Sequence, residues 1–145
     1  MSKAKNMAAY IATLLSDIRT ANGYSTEIGR LVLRGRRSLE DKHNPCVVLH
    51  EGDDTPKDDT LRNVILRQEY IVEAHHTCDP DNPNDIAHDM IADIKKAIWK
   101  DATWGGSVRQ IYYRGRGMQP REDGLTVVSA FVRFAVEYAD NLQNP

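Results

Sequence analysis

The sequence predicts an α+β fold, a mostly antiparallel sheet with two long strands and two helices packed on one side, in the order α-β-β-β-α-β-β. Three observations carry that prediction. Residues 125–139, LTVVSAFVRFAVEYA, place Val128, Ala130, Val132, Phe134, Val136 and Tyr138 on one parity, and side chains alternate across a strand, so this set lines one buried face. Residues 61–76 repeat the pattern with Val64, Leu66, Tyr70, Val72 and Ala74, and both stretches run to about fifteen residues where about five or six is usual. The surrounding elements have neither βαβ regularity nor an internal repeat, so helices segregated on one face of the sheet are the economical packing.

In chain order, residues 5–20 carry Met7, Ala8, Ile11, Leu14, Leu15 and Ile18 at spacings of three and four, with Lys5, Thr13, Asp17 and Arg19 between them. That periodicity is an amphipathic helix, closed by Asn22-Gly23. RLVLR at 30–34, entered from Gly29 and left at Gly35, reads as a short strand, and a basic polar connection follows. Pro45 cannot donate to a ladder and opens CVVL, a second short strand; DDTPKDD at 53–59 reads as a loop. Within 61–76, Gln68 interrupts the apolar row, which marks a bulge or a split into two strands. DPDNPND is turn chemistry, and a second helix starts near Pro83. Its apolar face is Ile86, Ala87, Met90, Ile91, Ile94, Ala97 and Ile98; its polar face is Asp85, His88, Asp89, Asp93, Lys95 and Lys96, acids early and lysines late as the helix dipole favours. ATWGG ends it, with Trp99 and Trp104 as core or interface anchors. A strand of mixed faces follows at 108–114, and GRGMQPREDG is the hairpin loop into the last strand. NLQNP is an unanchored tail. The second parity of the last strand ends in Arg133 and Glu137, which leaves that face only partly covered.

The 145 residues fit one domain, 1–145. Hydrophobic residues make up 41% and charged residues 28%, with both signs and a net charge of -2, which describes a folded globular chain and makes salt-sensitive nucleic-acid binding a weak expectation. Cys46 and Cys78 read as thiols of a reducing compartment. The intermittent apolar positions of the N-terminal stretch do not make a signal sequence, and nothing is long and apolar enough to span a membrane.

Candidate chemistry is sparse. His75, His76, Cys78 and Asp79 are ligand-type residues, but a strand sends His75 and His76 to opposite faces, away from a shared metal. His88 with Asp85 and Asp89 is a general-base constellation on one helix turn, set on the polar face where a solvated histidine is the plainer reading. Ser107 and Ser129 lack the glycine context of a nucleophile elbow. Gly115-Arg116-Gly117 follows a strand without opening a helix, so it lacks the amide cluster that binds phosphate. Arg34, Arg36 and Arg37, with Arg114, Arg116 and Arg121, form two arginine-rich loops suited to phosphate or to an acidic protein surface. No catalytic, cofactor or metal residue is assigned.

Taken in order, NGYSTEIGRLVLRG, NPCVVLHEGDD, the long strand into DPDNPNDIAHDMIADIKKAIWKDATWGG, and DGLTVVSAFVRFAVEYAD resemble the tail terminator, or tail completion, proteins of long-tailed bacteriophages and prophages. The resemblance spans nearly the whole chain as short, degenerate pieces. It implies a non-enzymatic virion protein at the head-proximal end of the tail, assembled in the host cytoplasm. Copies would form a ring, a homohexamer, on the last ring of the tail tube and end its polymerisation. Implied partners are further copies of itself, the tail tube protein, a neck or head-completion protein for head-tail joining, and genomic DNA passing through the lumen, without membrane or cofactor. A ring uses head-to-tail contacts between two different patches, and its closure prevents open-ended growth. Arg34, Arg36, Arg37, Arg114, Arg116 and Arg121 are expected at ring surfaces or lumen, with Arg133 and Glu137 between subunits. The alternatives are a head-closure or neck connector protein of the same virion and, more remotely, a small hydrolase or nuclease using His88.

Overall fold

A computed structural model describes residues 2–35, 43–119 and 126–145. Helix α1 (Lys3–Ser16) leads to two short 3-10 turns and strand β1 (Val32–Arg34). Strands β2 (Cys46–Asp59) and β3 (Asn63–Thr77) form a hairpin; helix α2 (Pro83–Ile98) crosses to β4 (Gln110–Gln119), and β5 (Val127–Asn141) returns between β3 and β4. The sheet order is β1-β2-β3-β5-β4, with β1 parallel to β2 and every other pair antiparallel. This is the α+β class predicted from the alternating strands.

The two long strands pair along their whole length, from Asn63 opposite Asn141 to Thr77 opposite Val127. That register aligns their apolar parities on one face, where Tyr70 stacks on Phe134 at 5.3 Å between ring centres. Both helices cover this face: Met7, Ile11 and Leu15 of α1 and Met90, Ile94 and Ile98 of α2 join Tyr70, Val72, Phe134 and Val136 in one buried cluster. Trp104 is buried against Phe134, and its indole Nε1 donates to the carbonyl of Ile98 at 2.9 Å, satisfying a group the helix end would otherwise orphan. Trp99 packs edge-on to Phe134.

Several local expectations are corrected. Helix α1 stops at Ser16, short of Thr20, because Ile18 leaves the spiral: it stays fully buried while its carbonyl accepts from the Gly29 amide at 3.0 Å. A Cβ on Gly29 would lie 2.5 Å from the Leu15 carbonyl oxygen and 2.7 Å from that of Ile18, so the approach requires glycine. Asp93, assigned to the solvated face of α2, is 3% exposed. Its carboxylate accepts from the Ser25 amide at 3.0 Å and from the Thr26 amide and hydroxyl at 2.8 and 2.6 Å, which ties the loop after α1 to α2. The segment 53–59 is strand and not loop, and so is 115–119, since β2 and β4 continue through them. Gln68 does not break β3. The irregularity lies opposite, between Glu51 and Asp54 of β2, and the Gln68 side-chain amide bridges it by donating to the Gly52 carbonyl at 2.5 Å.

Candidate functional site

With both helices on one side, the opposite face of the sheet is left to the odd parity of β3 and β5 and its neighbours on β2 and β4. A bulge in β4 between Tyr113 and Gly115 controls what it receives there. Tyr112 and Arg114 turn to the uncovered face, whereas Tyr113 packs against Trp99 on the helix side and Arg116 reaches His88 of α2, Nη1 to Nδ1 3.2 Å. Beyond the bulge, Gly117 makes room for Phe131: a Cβ there would sit 2.4 Å from the ring. The Arg133 guanidinium in turn lies 4.6 Å from the centre of that ring.

At one end of this face Glu137 is the hub. It is 3% exposed, against its expected exposure on the sheet surface, because cationic stems close over it. Lys57 Nζ and Arg67 Nε approach its Oε1 at 3.2 Å each, Arg109 Nε lies 3.9 Å from Oε2, and the Tyr112 hydroxyl is 3.4 Å from Oε1. Burial pushes the carboxyl pKa up, but hydrogen bonds from Lys57 and Arg67 and the charge of Arg109 outweigh it and leave the pKa below the ordinary value. Arg67 also covers the Tyr112 ring at 4.7 Å, with Arg114 at 5.4 Å and paired to Glu69 at 3.4 Å. Strands β3 and β5 thus give this face three carboxylates, Glu69, Glu73 and Glu137, of which Glu73 is taken up by His50 and His75, against Lys57, Arg67, Arg109, Arg114 and Arg133.

At the other end, a polar string crosses three strands. The Glu73 carboxylate lies 3.1 Å from His50 Nε2 and 2.9 Å from His75 Nε2, and His75 Nδ1 is 2.7 Å from the Ser129 hydroxyl. Burial holds the His75 pKa below the usual histidine value, with Glu73 opposing. Serine, imidazole and carboxylate stand in the order that activates a nucleophile, but His75 Nε2 meets Glu73 only as a close charge pair and makes no hydrogen bond. Ser129, however, is opposite His75 on one side and Gln119 on the other, inside a ladder that consumes the amides an oxyanion would need. The string clamps β2, β3 and β5 together.

The predicted interface residues are thus dispersed. Arg34 ends β1 and pairs with Glu51 at 3.3 Å; Arg114 and Arg116 lie in β4 and point to opposite faces; Arg133 is exposed and Glu137 buried. Arg36, Arg37 and Arg121 lie outside the described residues. His88 meets Arg116 rather than Asp85, which instead accepts from Asn82. Among the described residues no three His, Cys, Asp or Glu are placed to hold a metal ion, and no helix is long and apolar enough to cross a membrane. A concavity of about 610 Å³ lined by Asp17, Asn22, Tyr24, Lys96, Trp99 and Lys100 brings together no nucleophile and base. No local pattern in the sequence marks Lys57, Arg67, Arg109 and Tyr112, since only strand register brings them to Glu137. No protein-family model matches the chain, and comparison with curated proteins finds no relative.

Proposed function

We propose that this chain is a tail-terminator subunit of a long-tailed bacteriophage or prophage, a binding protein that caps the tail tube as a ring, a hexamer by the family's pattern, and offers the neck its docking surface. The resemblance over nearly the whole chain is the source of the reading. The observation that carries it is the division of the sheet: one face is sealed by both helices, and the other is an uncovered field of cations and aromatics. Continuous with that field is the β2–β3 hairpin, exposed at every position from 51 to 63. A subunit that meets neighbours, a tube below and a neck above needs several distinct polar patches on a rigid frame, and exposed arginine beside aromatic rings is interface composition.

Electron microscopy of tails assembled with and without the protein tests the reading. Termination requires uncapped tubes of uncontrolled length in its absence, whereas unchanged tails overturn it. Tails of correct length that fail to join heads would reassign the chain to the neck connector. Reversing Arg34, Arg114 and Arg133 to glutamate is expected to abolish tail completion while the purified subunit stays folded.

A further inference from the structure

We infer that the uncovered sheet face of one copy receives the acidic β2–β3 hairpin of another copy. This rests on the ring reading in needing two different patches per subunit, and it names both. The hairpin presents Asp53, Asp54, Asp58 and Asp59, all exposed and none in an ion pair among the described residues. Lys57, the one cation between Gly52 and Thr60, is turned back to Glu137. The face carries the opposite excess, because among the described residues Arg133 contacts the Phe131 ring without a carboxylate and Arg109 reaches Glu137 only at 3.9 Å.

Among the described residues these aspartates make no ion pair with the arginines of their own subunit's face. Pairing with β3 holds the hairpin in the plane of the sheet, and Arg67 of β3 is already engaged by Glu137, while Arg133 of β5 and Arg114 of β4 lie two and three strands from β2, each step being about 4.8 Å. The long stem of Lys57 crosses that gap; an aspartate side chain does not. A second copy placed over the face brings aspartates to the arginines directly. Because hairpin and face are different patches, the contact repeats head to tail and leaves each copy with one of each to offer. A chain of net charge -2 whose basic face is already part-neutralised by Glu69 and Glu137 favours a discrete carboxylate partner over a polyanion such as DNA.

The test uses two variants of the full chain: Asp58→Lys with Asp59→Lys on the hairpin, and Arg114→Glu with Arg133→Glu on the face. Sedimentation at low salt is measured for the wild type, for each variant alone and for an equal mixture. The wild type is expected to self-associate and each variant to do so about a hundredfold more weakly through like-charge contact. The mixture should recover association, because lysine hairpins meet glutamate faces while native hairpins meet native faces. Recovery also shows that both variants are folded. Three results overturn the proposal: a wild type that stays monomeric when concentrated at low salt, variants that associate like the wild type, or a mixture that fails to recover. Loss of double-stranded DNA retention by the face variant, with self-association unchanged, would assign the face to nucleic acid. Tail-length microscopy reads termination separately, so a cap built through other surfaces would still appear there.

Discussion

Asp93 holds the segment after α1 against α2 with both carboxylate oxygens, and at 3% exposure little water is available to replace its three donors. Asp93→Ala would leave the Ser25 and Thr26 amides and a buried hydroxyl without partners, a loss of about 3 kcal/mol. Chemical denaturation with circular dichroism checks this; a change below about 1 kcal/mol would show that water or a neighbour replaces the carboxylate. Glu137 is the counterpart on the sheet, an acid made tolerable by a ring of cations. Neither burial was legible in the sequence. An aspartate among lysines on a helix, or a glutamate two positions after Ala135, has the local pattern of a solvated residue, and the donors that bury Asp93 come from a loop more than sixty residues away. Gly29 and Gly117 were visible as breaks, yet their reason, carbonyls in one case and the Phe131 ring in the other, appears only when distant segments meet.

At the scale of elements, the hairpin of β2 and β3 departs most from expectation. DDTPKDD has the composition of a loop, because aspartate and proline are poor strand formers. It is held as strand by its pairing to β3, with irregularities between Glu51 and Asp54 and between Pro56 and Asp58. Among the described residues its outer edge is paired only over 47–49, by β1. Charges, proline and bulges are what blunt such an edge against indiscriminate pairing. Amides of 53–59 are therefore expected to exchange hydrogen well before those of 47–49, which lie between β1 and β3. Uniform protection along β2 in the isolated subunit would contradict this. In β4 the glycines of GRGMQ read as a turn, whereas the structure uses Gly115 for the bulge and Gly117 for clearance. The apolar periods of α2 and β5 left no such ambiguity, since each buries one face, whereas in β3 only the structure shows the strand running unbroken through Gln68.

For the whole molecule, stability should fall in stages on acidification. Burial lowers the His75 pKa, so the folded state holds it neutral where the unfolded chain binds a proton. Its contribution is present above the unfolded value of about 6.5 and is lost as pH falls through the lower folded value. Glu27 is pulled down to about 2 by the Thr20 hydroxyl and amide and by Arg19, so its contribution is present above the ordinary carboxylate range and fades only toward that value. Melting temperature against pH is expected to drop first below about 6.5 and again below about 4.5. His75→Gln should remove the first step and leave the second, and persistence of the first step would assign it to another group. What the sequence determined by itself is the α+β class, the two long strands and the helix faces, because apolar periodicity is local and each period has one way to bury its face. Only the tertiary structure decided which polar residues go inside, that the acidic and glycine-rich segments continue as strands, and which cations gather on the uncovered face. Those outcomes depend on strand register and on partners far apart in the chain, which no local pattern encodes.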